Sequence, residues 1–212
     1  RNDSTFFTGL RLIVSDNSSD GITVESNSSD AVVDELQAFN NGGTGIHIAT
    51  PIDTLSNSAA YNNVDYGIYL HQTGATALEN NVVHDNNTGI YVHNNLGGDP
   101  TVIGSSDLSG NDSPISAKGN TVYDNHHIGI QAYYNVLVVG NTVYGHDGPG
   151  DYGVYLYGSS AKAEQNIVHG NTTGIYARSS GHMEGNRVYD NSDAGIYLHE
   201  PYNSSAVFSA LG

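Results

Sequence analysis

Three side chains that could together promote proton abstraction from a substrate, Tyr157, Arg178 and His199, are spaced 21 residues apart. A tyrosine or a histidine can take up or release a proton, and an arginine can neutralise a carboxylate while the neighbouring carbon loses its proton. This combination predicts lyase-type chemistry on a carboxylated substrate, provided that the fold brings the three positions together.

Two other kinds of site were considered, a glycosidase pair of carboxylates and a histidine site for a transition metal. Glu164 and Glu184 would meet the roughly 5–10 Å separation of a glycosidase acid pair if one wall carried both. Solvated surface acids are the simpler interpretation. The ten histidines show no HExxH spacing, and the adjacent His126 and His127 should point apart in a turn. The sequence therefore does not predict a transition-metal site.

Calcium is the one ion that the sequence favours, and no motif requires another cofactor. Asp99, Asp107 and Asp112 lie in a segment rich in Gly and Pro, and they supply the hard oxygen ligands that Ca²⁺ prefers. Asp147 and Asp151 form a second acidic turn. Neither segment matches an EF-hand, so acidic residues selected for turn geometry are the alternative.

A repeat of the chain must position these side chains. Gly followed by Ile or Val recurs at intervals of 24, 22, 22, 40, 24, 21 and 21 residues, at Gly21, Gly45, Gly67, Gly89, Gly129, Gly153, Gly174 and Gly195. Short strands joined by Asn- and Gly-rich turns at this period are typical of a β-solenoid, because one coil buries its apolar face only when neighbours stack on it. We therefore predict an all-β, right-handed parallel β-helix of about eight coils, forming a single domain over residues 1–212.

Alternation within each coil separates inward from outward positions. The first and third residues after each Gly are apolar, as in Ile68 and Leu70. Two more inward columns are predicted: Val14, Ala38, Ala60, Val83, Val122, Val143, Val168 and Val188, and then Val33, Leu55, Leu78, Ala117, Val138, Ala163 and Met183. A column of stacked amides is predicted at Asn81, Asn120, Asn141, Asn166 and Asn186, where the side chains should bond one another.

One interval of the repeat is too long. The extra residues between Gly89 and Gly129, at about 94–114, contain Gly-Gly-Asp-Pro and Gly-Asn-Asp-Ser-Pro, which are turn-forming sequences. We expect an inserted loop that projects beside the strand ending at His93. Long loops on a regular scaffold are often functional.

Outward positions of the coils should form a wall rich in Tyr and His. Neighbouring coils about 4.8 Å apart would arrange the rings in two adjacent ladders, and Tyr offers a sugar both an apolar face and a hydroxyl. The predicted ligand-binding residues are Tyr69, His71, Tyr91, His93, Tyr133, Tyr155, Tyr157, Tyr176, Arg178 and Tyr197. The alternative is repeat consensus without a ligand, because Tyr favours strands and a second wall also carries rings, from Phe39 to Tyr189.

The repeated pattern Asn-x-Val-Tyr-Asp-Asn-x(2–4)-Gly-Ile-Tyr, from Leu12 to His199, resembles the parallel β-helix repeats of the pectin-lyase-like superfamily. That superfamily includes polysaccharide lyases, glycoside hydrolases, mannuronan C5-epimerases, phage tailspikes and noncatalytic modules of bacterial surface proteins. The resemblance implies extracellular work on carbohydrates without fixing a reaction. The Tyr-Gly-Phe/Ile-Asp-Pro-His signature of alginate epimerase modules is missing, since Asp99-Pro100 lacks the following His.

The composition of the chain narrows the range of binding partners that we expect. With 22 Asp plus Glu against 6 Lys plus Arg, the net charge is -16, which repels nucleic acids and anionic membrane surfaces. The chain has no Cys and no apolar run near the roughly 20 residues that span a bilayer. We expect neither nucleic-acid binding nor membrane insertion, and an extracellular or cell-surface location. The chain starts with Arg and shows no signal peptide, so we expect a piece of a larger secreted or surface protein.

Three functional hypotheses follow. The leading one is a noncatalytic module that binds a polysaccharide along the Tyr/His-rich wall. The second is a polysaccharide lyase or C5-epimerase-like enzyme using Tyr157, Arg178 and His199; the missing signature and the scarcity of cations count against it. The third is a structural stalk or adhesin segment, which explains the repeat equally well and agrees with the lack of an evident amphipathic N-terminal cap.

Overall fold

The computed structural model describes residues 8–25, 31–71, 74–105, 119–179, 181–199 and 208–211, and these form three parallel sheets. The first sheet contains Thr8–Leu10, Val32–Asp34, Thr54–Ser56, Ala77–Glu79, Thr101–Gly104, Val136–Val139, Lys162–Glu164, Gly181–Glu184 and Phe208–Leu211. The second sheet contains Ile13–Ser15, Gln37–Phe39, Ala59–Tyr61, Val82–His84, Thr121–Tyr123, Thr142–Tyr144, Ile167–His169 and Arg187–Tyr189. The third sheet contains Ile22–Val24, Ile46–Ile48, Tyr66–His71, Thr88–Asn94, Ile128–Tyr134, Tyr152–Tyr157, Thr173–Arg178 and Ala194–His199.

Each coil contributes one strand to each sheet in turn, and each strand pairs in parallel with its equivalents in the neighbouring coils. The described sheets have nine, eight and eight strands, which confirms the predicted all-β parallel β-helix. In the part of the chain that the structure describes, no helix is long and apolar enough to cross a membrane.

The core is the set of inward columns. Val83 pairs with Ala60 on one side and Val122 on the other, and all three are fully buried. A buried Val, Leu or Ile side chain stabilises the fold by about 1.5–3 kcal/mol relative to an exposed one. At the last row of the third sheet, Ile196 and Leu198 are 44% and 48% exposed, because no further strand of that sheet follows them within the described residues.

The predicted inserted loop at about 94–114 is wrong for residues 101–104. Thr101–Gly104 is a strand of the first sheet, between Ala77–Glu79 and Val136–Val139. Ile103 is fully buried in the column where Ala117 was expected, because Val102-Ile103 has the alternation of a short strand although turn-forming residues surround it. Ala117 lies outside the described residues, as does the rest of the long interval from 106 to 118.

The corner between the first and second sheets carries the predicted asparagine ladder. Asn80 adopts a left-handed conformation with φ 54°, which Asn tolerates better than most residues, and the chain then turns through Asn81. Asn120 shows the repeated bonding pattern: its Nδ2 donates to Asn141 Oδ1 and to the Leu78 carbonyl, each at 2.9 Å. The predicted structural role of these asparagines is confirmed.

A second ladder, which the sequence analysis missed, lies at the corner between the second and third sheets. It runs through Asn17, Asn41, Asn63, Asn86, Asn125, His146, Asn171 and Asn191. This ladder explains the Gly of the repeat. A Cβ on Gly89 would lie 2.8 Å from Asn125 Nδ2 and 2.5 Å from the Gly129 carbonyl oxygen, so the ladder and the neighbouring coil occupy the space of a side chain.

Candidate functional site

The third sheet carries the candidate site on its outer surface. Strand register places Tyr69, Tyr91, Gln131, Tyr155, Tyr176 and Tyr197 in one column. It places His71, His93, Tyr133, Tyr157, Arg178 and His199 in a second column. We call these twelve residues the aromatic wall. It brings together all ten predicted ligand-binding residues and the three predicted catalytic residues; their functions remain predictions.

Three further tyrosines lie against the wall and were missed from the sequence. Tyr66 contacts the Tyr69 and Tyr91 rings, with centroids 5.0 and 5.2 Å apart. Tyr152 lies 4.7 Å from Tyr176, and Tyr134 meets His93 edge-on at 5.2 Å. The available signal was the position of Tyr66 and Tyr152 directly before the Gly of the repeat.

Tyr133 joins the two halves of the wall. Gln131 interrupts the column of tyrosines, and its Nε2 donates a hydrogen bond to the Tyr133 hydroxyl at 2.7 Å. The Tyr133 ring then lies 5.4 Å from Tyr91 and 5.9 Å from Tyr155. The rings therefore continue past the interruption through the neighbouring column.

The rings around Tyr133 are tilted against one another. Their planes make angles of 41° with Tyr91, 39° with His93 and 46° with Tyr157. Tilted rings cover each other's faces less completely than parallel rings do. Towards the C-terminal end the tyrosine column becomes a parallel stack, with angles of 8° between Tyr155 and Tyr176 and 3° between Tyr176 and Tyr197. His199 in the second column remains tilted by 42° against Tyr176.

The outward rings of the second sheet lie parallel to one another, unlike the tilted rings around Tyr133. Its outward rings form one continuous stack with centroids 4.6–5.2 Å apart and planes within 14°, through Phe39, Tyr61, His84, Tyr123, Tyr144, His169 and Tyr189. Each inner ring has both faces covered by its neighbours. Such a stack stabilises parallel strands without a ligand, so the two walls of the same repeat differ in how their rings pack.

Arg178 provides the positive charge of the wall. Its Cζ lies 5.8 Å from the centre of the Tyr157 ring, within the range of a cation–π contact. Hydrogen bonding to the Tyr155 hydroxyl raises the pKa of Arg178. Register places Arg178 between Tyr157 and His199 on three successive strands, so the geometry allows the predicted lyase-type cluster.

Burial shifts the pKa values of the titratable groups at the centre of the wall. It raises the pKa of Tyr91 and of Tyr133 above the usual range, so both hydroxyls stay protonated and can donate hydrogen bonds at neutral pH. Burial, followed by the nearby His71, lowers the pKa of His93. The centre of the wall is therefore a neutral surface with hydroxyl donors.

The predicted carboxylate sites lie elsewhere. Glu164 and Glu184 are in register on neighbouring strands of the first sheet, away from the aromatic wall. Asp99 is exposed, while Asp107 and Asp112 lie outside the described residues. Within the described ranges, no group of three or more His, Cys, Asp or Glu side chains is arranged to hold a metal ion. Calcium at these aspartates remains a prediction.

One open cleft of about 540 Å³ lies on another part of the surface, at the corner between the first and second sheets. Arg11, Glu35, Asn57 and Val82 are among the residues that line it. It contains none of the aromatic wall, which is an open surface. An open surface suits a polymer that must pass along it better than a closed pocket does.

Comparisons with known proteins agree with the architecture. A family model described as "Right handed beta helix region" matches residues 11–112 and 107–210. The A-module of Azotobacter vinelandii mannuronan C-5 epimerase AlgE4 has a similar fold, with a TM-score of 0.70 at 18% identity over 97% of this chain and 60% of that one. A mutant of the periplasmic alginate epimerase AlgG gives a TM-score of 0.74 at 17% identity, over 98% of this chain and 50% of that one.

The A-module of the Azotobacter vinelandii epimerase AlgE6 gives a TM-score of 0.67 at 20% identity, over 97% of this chain and 58% of that one. The chain thus spans about half to three fifths of these epimerase chains, and identities this low show a common fold alone. No curated protein matches the sequence. The family model covers nearly the whole chain and agrees with the three stacked parallel sheets, so this chain belongs to the right-handed β-helix family.

Proposed function

We propose that this chain is a carbohydrate-binding β-helix module that holds a polysaccharide against the aromatic wall. The observation that carries the proposal is the tilted cluster around Tyr133, whose ring makes angles of 39–46° with those of Tyr91, His93 and Tyr157. Tyr91 stacks on Tyr69 on its other side, with an angle of 20°. Sugar rings pack their apolar faces on such aromatic faces. The fully stacked second sheet serves as the internal comparison, because the same repeat leaves no inner ring face open there.

The polar groups of the wall support the same proposal. Protonated Tyr91 and Tyr133 hydroxyls can donate to sugar oxygens, and the Gln131 amide orients the Tyr133 hydroxyl. The wall extends over six successive strands, spaced about 4.8 Å apart. A linear polymer lying across the strands would therefore meet several contacts of modest strength rather than one deep site.

The proposal also covers the binding partner and the location of the chain. The partner is a polysaccharide, the location is extracellular or on the cell surface, and the chain works within a larger secreted or surface protein. Support comes from the acidic composition, with a net charge of -16, and from structural neighbours whose titles name mannuronan and alginate epimerases, one of them periplasmic.

A glycan array probed with the purified chain tests this proposal, followed by product analysis on every glycan that binds. We expect binding to at least one linear polysaccharide, with neither new unsaturated or reducing ends nor a changed sugar configuration. The absence of binding to any glycan would contradict the proposal and favour a structural stalk.

A second candidate, a polysaccharide lyase or C5-epimerase-like enzyme, is favoured by one observation. Arg178, the positive side chain of the wall, contacts the Tyr157 ring and lies beside His199 in the column. If the wall is an active site, Arg178→Ala should abolish product formation while weakening binding only modestly, because charge neutralisation matters most in the transition state. Product formation that survives Arg178→Ala would exclude this cluster.

A further inference from the structure

Two histidines that are 22 residues apart in the sequence are direct neighbours on the aromatic wall. His71 ends the strand Tyr66–His71, and register pairs it with His93 in the next coil. Their ring centroids are 5.0 Å apart, with planes inclined by 37°. The 22-residue interval equals one coil of the repeat, so stacking of the coils creates this pair.

The separation of the two rings matches that of two imidazoles on one metal ion. Zn–N bonds of about 2.0–2.1 Å and a tetrahedral angle place the centres of two ligating imidazole rings about 5 Å apart. Parallel pairing fixes the two backbones, so the two rings already lie at the required separation. Binding of one ion by both rings requires side-chain rotation that directs one nitrogen of each ring to a common point.

The hydrogen bonding of His93 points to the same place. Its Nδ1 atom is buried and has no partner, and it is alone in this respect among the side-chain nitrogen and oxygen atoms of the described residues. A buried polar atom without a partner costs free energy, and coordination to a bound ion would remove that cost. Tyr134 covers one side of the His93 ring edge-on at 5.2 Å, while His71 is exposed on the other side.

From this geometry we infer that His71 and His93 form a two-histidine site for a borderline transition-metal ion such as Zn²⁺, Ni²⁺ or Cu²⁺. Imidazole is a favoured ligand for these ions. Two protein ligands leave the other coordination positions to water, and the exposed side of His71 lets the ion reach the site. The inference does not depend on polysaccharide binding, since the site needs only the strand register.

Calorimetric titration of Zn²⁺ into protein without a polyhistidine tag tests this inference. We expect one Zn²⁺ per chain at this site, and His71→Ala and His93→Ala should each lower the affinity by at least about tenfold, since loss of a ligand costs no less than loss of a supporting group. The matched control is His169→Ala, because His169 is an outward histidine that stacks between Tyr144 and Tyr189 without a second imidazole. The control should bind Zn²⁺ as the parent does.

A second measurement keeps the test independent of folding. Electron paramagnetic resonance of one equivalent of Cu²⁺ should show two nitrogen ligands in the parent and one in each single variant, with melting temperatures of the metal-free proteins showing that the variants fold. Zn²⁺ affinity unchanged in His71→Ala or His93→Ala, or a parent that binds no metal, would overturn the assignment.

Discussion

His146 is the one histidine in the second asparagine ladder, and its imidazole ring makes the hydrogen bonds that an asparagine amide makes elsewhere in the ladder. Its Nδ1 donates to Asn171 Oδ1 at 2.8 Å, and its Nε2 accepts from Asn125 Nδ2 at 3.2 Å. Only the neutral ring can do both, because a protonated ring has two donors and no acceptor. The side chain is fully buried, and burial lowers the pKa of His146 to about 4.

This predicts a loss of stability in mild acid. Above about pH 7.5, His146 is almost entirely neutral in both the folded and the unfolded chain, so it adds no pH dependence. As the pH falls from about 6.5 towards 4, the unfolded chain takes up the proton first, and the free energy of unfolding should drop by about 3 kcal/mol. Urea unfolding at a series of pH values measures the drop.

The control for this prediction restores the ladder. His146→Asn places the consensus residue between Asn125 and Asn171, so it should remove most of the loss between pH 6.5 and 4. His169→Asn on the outer surface should leave the loss in place. If both variants lose stability as steeply as the parent does, the acid sensitivity belongs to other groups.

At the scale of the corner elements, the ladders should contribute more to stability than exposed turn asparagines do. Asn86 is fully buried, and its Oδ1 accepts from the backbone N–H and the side chain of Asn63. Asn86→Ala leaves the Asn63 backbone N–H without its acceptor and removes one of the two hydrogen bonds of the Asn63 side-chain amide, so it should lower the free energy of unfolding by about 2–3 kcal/mol. The adjacent Asn87 is exposed, so Asn87→Ala is the matched control, with a change near zero by chemical denaturation. Similar losses in the two variants would contradict the structural role of the ladder.

Within the strands, we expect substitutions at inward positions to lower the free energy of unfolding much more than substitutions at outward positions. Ile130→Asp places an unpaired charge in a fully buried column, and we expect a loss of about 3–5 kcal/mol in the free energy of unfolding. Tyr69→Ser changes an outward ring and should cost about 1 kcal/mol at most. Thermal and denaturant unfolding of the two variants measures the difference, and equal midpoints would refute the assignment of the faces.

The elements that the sequence could predict are those in which one period repeats without interruption. The Gly-Ile spacing located the inward columns and both columns of the aromatic wall, because parallel stacking converts a sequence interval directly into a spatial neighbour. Ile103 escaped because a four-residue strand between turn-forming segments has too few alternations to be recognised. The second ladder was missed because no single motif marks its positions: Asp85 precedes Asn86, whereas Gly170 precedes Asn171. What these two preceding residues share is a left-handed backbone conformation, with φ 54° and 64°.

The ring geometry of the wall could not be predicted from the sequence. Tyr133 and Tyr144 both read as outward tyrosines, yet one is tilted against its neighbours and the other lies in a parallel stack. The difference comes from Gln131, which interrupts one column and anchors the Tyr133 hydroxyl. The pairing of His71 with His93, in contrast, follows from the 22-residue interval of one coil and could be predicted.

At the scale of the whole molecule, one repeat builds two aromatic surfaces of different character. The second sheet closes its rings on one another, and the third sheet opens them around Tyr133. The core and the ladders support both surfaces equally, so changes to outward rings on either sheet should affect stability to a similar extent. Ligand binding is what should separate them.

The most direct test of the account therefore compares single tyrosine variants on the two surfaces against one polysaccharide that the parent binds. Tyr91→Ala and Tyr133→Ala should each weaken binding by about 0.5–1.5 kcal/mol, or about 2- to 12-fold in Kd, because stacking on an aromatic face has this strength. Tyr123→Ala and Tyr144→Ala on the second sheet should leave the Kd unchanged, with melting temperatures recorded for all four. Equal Kd values for the two pairs of variants would contradict the assignment of polysaccharide binding to the aromatic wall.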